Sequence, residues 1–211
     1  MKITVIILLA MGLFNNLFGQ KNNVKEYLKN NVKYLRNVGL FEEYSSLTID
    51  QLTQKIIELE INYNGDFYED EFPKNDLKWT FINIAKHDKR RVRFIGIEYA
   101  YREEKVYEQL IAEFKNMAPL LNPENCKEYW ESEDGPIIVT FNNLGKEIKI
   151  TPKFNDGWVD MKSILESFNS IIHSSGQKFE VLHGTDDQLF IIRLSENEKE
   201  IITKLFKIQF K

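Results

Sequence analysis

Residues 178–206 read KFEVLHGTDDQLFIIRLSENEKEIITKLF, two apolar runs followed by an amphipathic tail. Phe179 to His183 and Leu189 to Leu194 flank Gly184, Thr185, Asp186 and Asp187, turn residues whose placement predicts a β-hairpin. Ser195 and Glu198 then form a capping box: the serine hydroxyl accepts a backbone N–H one turn on, and the glutamate reaches back. The helix so started would bury Ile201, Ile202, Leu205 and Phe206. Residues 178–206 therefore predict a strand–strand–helix unit.

The same order of elements occurs upstream over residues 137–173. Ile137 to Phe141 and Glu147 to Thr151 flank Asn142, Asn143, Leu144 and Gly145, and a helix from Asp160 to His173 carries Ile164, Leu165, Phe168, Ile171 and Ile172 on one face. A third unit is expected at about 77–117. There Trp79 to Ala85 and Val92 to Tyr99 read as strands, and a helix runs from about Glu103 to Met117 until Pro119 stops it. The first of these runs, LKWTFINIA, fits a short buried helix equally well, since a continuous apolar run carries neither period.

Residues 22–62 are helical in pattern. Val24, Leu28, Val32 and Leu35 recur at helical spacing, with Tyr27 widening the stripe and Gly39 as the stop. A second helix starts at a capping box of Thr48 and Gln51, with Leu47 and Leu52 as its hydrophobic staple. Leu52, Ile56 and Leu59 form its apolar face, and Asn64-Gly65 ends it. The expected fold is α+β: an antiparallel sheet built from strand–strand–helix units with helices on one face, preceded by two N-terminal helices. No Pro/Gly/Ser-rich linker divides residues 21–211, which read as one domain.

Residues 1–20 have the layout of a signal peptide. Lys2 precedes an apolar run from Ile3 to Phe14, Asn15 and Asn16 follow, and Gly19 is the small residue for cleavage beside Gln20. The run is shorter than the ~20 residues a spanning helix needs. The expectation is an exported protein, periplasmic or extracellular, with no stable membrane insertion once the leader is removed. Cys126, the only cysteine, allows no internal disulfide, so stability rests on the core.

The formal charge is −4, and one unit more negative when Lys2 leaves with the leader. Nucleic acid is not expected as a partner, because that binding depends on a basic surface. The one basic cluster is Lys86, Lys89, Arg90, Arg91 and Arg93 around His87, diluted by Asp88; Asp66, Glu69, Asp70, Glu71 and Asp76 lie upstream. Both runs read as solvated loops.

No G-x-S-x-G, H-E-x-x-H, Walker or G-x-G-x-x-G motif is present, and no catalytic residue, metal ligand or cofactor is assigned. His183, Asp186 and Asp187 share a turn, but turn chemistry alone explains them. The segment CKEYWESEDGP, Cys126 to Pro136, sets Tyr129 and Trp130 among Glu128, Glu131, Glu133 and Asp134. Its two readings are an aromatic anchor that packs a loop and a recognition surface. Exposed Trp and Tyr beside charge are what interface hot spots use. Tyr129, Trp130, Glu131 and Trp158 are the candidate partner-binding residues.

EYWESEDGPIIVTF, WVD before a helix, and FEVL followed by an apolar strand and LSENEK resemble a group of uncharacterised bacterial proteins, over the C-terminal part of the chain only. The resemblance implies the same order of elements and no activity. The expected function is that of an exported, non-catalytic protein-interaction module. The rival is a cell-wall or glycan-binding or hydrolysing protein using Trp130, Trp158 and nearby carboxylates.

Overall fold

A computed structural model describes residues 24–67, 69–96, 101–154, 156–183 and 188–210, the side chains of Glu69 and His183 excepted. The proposed leader, the 184–187 turn and the end of the Val92 to Tyr99 run lie outside the described residues. The fold is α+β, with six helices and two small antiparallel sheets among those residues.

The two N-terminal helices are present as α1 (Val24–Val38) and α2 (Ile49–Asn64). Both halves of the Thr48–Gln51 capping box form, and Gly65 ends α2 in the left-handed region at φ 82°. Next come α3 (Leu77–Ala85), β1 (Val92–Gly96), α4 (Val106–Glu113), β2 (Pro123–Trp130), β3 (Ile137–Asn143) and β4 (Lys146–Ile150). The chain closes with α5 (Met161–Ile172), β5 (Gln177–His183), β6 (Gln188–Ser195) and α6 (Glu196–Phe206).

Two expected elements differ. Trp79 to Ala85 is helical, not a strand: Asp76 caps it by accepting the Trp79 N–H, and the buried Thr80 and Asn83 find acceptors at the Pro73 and Glu71 carbonyls. Because the helix is buried on nearly every side, its sequence lacks the apolar stripe that marks a surface helix. The segment from Pro123 to Trp130, partly read as a loop, is an edge strand antiparallel to β3, with a bulge between Glu124 and Lys127. Its outer positions are polar and the bulge breaks the alternation, which hid it.

The strands divide between two sheets, ordered β1-β6-β5 and β2-β3-β4. Helices cover both faces of the first sheet rather than one, and β6 shows why. Leu189 and Ile191 face a core shared with α4, α5 and the second sheet; Phe190, Ile192 and Leu194 face a core shared with α1, α2, α3 and α6. A strand buried on both faces reads as a near-continuous apolar run, as LFIIRL does. In the first core Phe168 meets Phe114 at 4.8 Å and Phe141 at 5.9 Å; in the second, Phe81 meets Phe190 at 5.7 Å and Phe206 at 5.2 Å.

Candidate functional site

The structure does not assemble the four sequence-predicted residues into one surface. Tyr129 and Trp130 are successive residues of a strand and point to opposite faces. Tyr129 stays on the solvent side, opposite Ile138, whereas Trp130 turns inward and is 3% exposed. Its ring packs edge-on against Phe154 at 6.0 Å, and Nε1–H donates to Glu128 Oε1 at 2.6 Å. As a recognition residue Trp130 is corrected: its indole is an anchor. Glu128 also accepts the N–H groups of Tyr107 and Glu108, so it caps α4 from a neighbouring strand. Glu131 is exposed, and Trp158 is 39% exposed after a left-handed Gly157 that packs on Tyr101.

Cys126 is half-buried, and burial, with Glu108 and Glu128 nearby, pushes its thiol up to about 12. At neutral pH it is a thiol and a poor nucleophile. Among the described residues no cluster of His, Cys, Asp and Glu could hold a metal ion. Asp186, Asp187 and the His183 side chain lie outside them.

The polar chemistry gathers instead where the basic run follows α3. That run is not a solvated loop: His87, Asp88 and Arg91 are buried. Asp88 Oδ2 accepts the Phe41 N–H at 2.7 Å. Arg91 donates to Glu42 and to Glu198, each at 2.8 Å, tying the start of the chain to the capping box of α6. Glu60, on the inner face of α2 and 1% exposed, receives His87 Nε2 at 2.5 Å and Lys86 Nζ at 2.8 Å on Oε1, and Asn64 Nδ2 at 3.0 Å on Oε2. Burial raises the Glu60 carboxyl, but the hydrogen bonds from His87 and Lys86 outweigh it and leave it below its usual range. Burial lowers His87, and Glu60 only partly restores it, so the imidazole is neutral at pH 7. A neutral ring facing a carboxylate carries its proton on Nε2.

Lys86, His87 and Asn64, the groups that Glu60 holds from behind, form part of the wall of a cleft of about 640 Å³ between α2, α3 and the end of β1. Tyr63, 83% exposed, and Phe94, 39% exposed, stand on its rim with Trp79. The Lys86 ammonium lies 5.7 Å from the centre of the Tyr63 ring, within cation–π range. No serine, threonine or cysteine lines the cleft among the described residues. Glu60 already receives three donors, so the pair is poorly suited to serve as a free base.

The sequence held one signal for this site. Glu60 follows Leu52 and Ile56 at four-residue spacing, so an ionisable side chain continues an apolar stripe into the interior. That buried acid required a cationic partner. Nothing local named Lys86 as that cation or His87 as the neutral donor beside it, or showed Tyr63 and Phe94 to be neighbours. No protein-family model, no curated protein and no solved structure matches the chain. No helix among the described residues is long and apolar enough to cross a membrane.

Proposed function

We propose that the protein is an exported, non-catalytic interaction module that receives a segment of a partner protein in the cleft between α2, α3 and β1. One observation carries the reading: exposed aromatic side chains, Tyr63 and Phe94, rim a cleft whose wall is held by the Glu60–His87–Lys86 cluster. Aromatic anchors around a preorganised depression are how interfaces concentrate binding energy. The high thiol of Cys126 and the fully engaged Glu60 carboxylate support a role without covalent or general-base chemistry. Export rests on the leader-like first twenty residues; N-terminal sequencing of secreted material is expected to start at Gln20 or Lys21.

Selection of displayed random dodecapeptides on the folded protein tests the cleft. Binding of the enriched peptides should weaken about tenfold or more in Tyr63→Ala or Phe94→Ala, the scale of an interface hot spot. Peptides that bind both variants as well as the wild type would place the binding surface elsewhere.

The glycan reading keeps one support: Trp158 remains partly exposed beside the exposed Tyr101. The burial of Trp130 takes away the paired platform on which that reading relied. Binding of cell-wall fragments that is lost in Trp158→Ala would favour it over the cleft.

A further inference from the structure

We infer that the cleft carries a carboxylate-binding subsite at Lys89, and that the segment it receives is an acidic peptide with apolar neighbours. The inference rests on the cleft being the binding surface and specifies the chemistry of its occupant.

Lys89 lines both the main cleft and an adjoining cavity of about 410 Å³, and the two share Lys86, Lys89 and Phe94. Arg93 lines the second cavity. Three cationic side chains thus line the two adjoining cavities, beside the carboxylates of Glu71 and Glu113, on a chain whose formal charge is −4. Two of them are engaged, Lys86 with Glu60 and Arg93 with Glu113. Among the described residues Lys89 forms no ion pair, and it is exposed. Partial desolvation of its ammonium, then the charges of Arg93 and Lys86, lower its pKa against the opposing charge of Glu60, and an anion beside Lys89 would offset the two cations.

The donors favour a carboxylate over a phosphoryl group. A lysine that binds phosphate usually does so beside planar guanidinium forks or converging backbone N–H groups. Here Nε and Nη1 of Arg93 are already spent on the carbonyls of Glu113, Lys89 and Val92, which leaves no complete edge of the fork for an anion. What remains is the compact point charge of Lys89, suited to a single carboxylate. Around it stand the side-chain amides of Asn62 and Gln188, which can pair with a peptide main chain, and the aromatic rim, which can take apolar side chains.

The same displayed-peptide selection decides the matter. Enriched peptides should carry an excess of Asp or Glu beside apolar residues and bind less tightly as salt rises. Lys89→Glu should weaken them about tenfold or more, and Lys162→Glu, on the distant α5, should not. Circular dichroism verifies the fold of both variants. Peptides without acidic bias that still depend on Tyr63 and Phe94 would overturn the subsite and leave the cleft standing. Peptides indifferent to all these substitutions, or no enrichment at all, would overturn both. Displacement by inorganic phosphate where equal acetate has no effect would reassign the subsite to a phosphoryl group and overturn the carboxylate assignment.

Discussion

His87 Nε2 stands 2.5 Å from Glu60 Oε1, joining the last turns of α2 to the segment that leaves α3. Folding lowers the imidazole below its ordinary 6.5. On acidification the unfolded chain is therefore protonated first, and the stability His87 contributes above pH 6.5 is lost as pH falls from 6.5 through the folded value. Glu60 acts in the same sense below its ordinary 4.5, while Asp88, raised above 3.8 by burial, acts in the opposite sense. Urea midpoints should fall between pH 7.5 and 5.5, and less so in His87→Gln, which keeps both carboxylates. A variant with the wild-type slope would show that another group governs acid stability.

Removing Glu60 has a separate cost. Glu60→Ala leaves the buried Nε2–H of His87 without its acceptor, an expense of about 1–3 kcal/mol for that group alone. Denaturant titration at pH 7.5 measures it. Restoration of the wild-type midpoint in the double variant Glu60→Ala with His87→Phe would confirm that the orphaned imidazole was the cause.

Phe114 and Phe168 are both fully buried, with ring centres 4.8 Å apart. The shared contact predicts comparable losses, about 3–5 kcal/mol for each change to Ala. Because the rings touch, the double variant should lose less than the sum of the two. A loss at Phe114 under half that at Phe168 would show that Phe114 is peripheral to this core.

Gly39 adopts φ 115°, and a Cβ there would lie 2.5 Å from Glu198 Oε1. That oxygen is held by Arg91 and has little freedom to retreat. Gly176, at φ 70°, has nothing within 4 Å of the same position. Gly39→Ala should therefore destabilise more than Gly176→Ala, which meets only the backbone cost of about 1 kcal/mol. Thermal midpoints of the two variants give the comparison, and equal shifts would mean that the Arg91–Glu198 pair yields easily.

Cys126 should react slowly with a disulfide reagent in the folded protein at pH 7.5 and rapidly in urea, since its thiol is pushed up to about 12. Equal rates in the two states would show an open, ionised thiol. Cys126→Ser should leave peptide binding by the cleft unchanged.

Both capping boxes were legible in the sequence because their chemistry is local: Thr48 and Ser195 each find their partner three residues along. So was the β3–β4 turn, where Leu144 and Gly145 take the positive φ values of 50° and 82° that a two-residue hairpin demands. The helix at Leu77–Ala85 was not, because its signature is burial on all sides, and a helix and a strand so buried show the same unbroken apolar run. The edge strand at Pro123–Trp130 was missed for the opposite reason, since one solvent face and a bulge left little periodicity to read. The partners of Glu60 and Arg91 were set by tertiary structure alone. Glu60 meets His87 from 27 residues away, and Arg91 meets Glu198 across 107. Charge in a sequence says that a buried acid must be neutralised; only the packing of α2, α3 and β6 decides by which cation, and which cation is left facing the cleft.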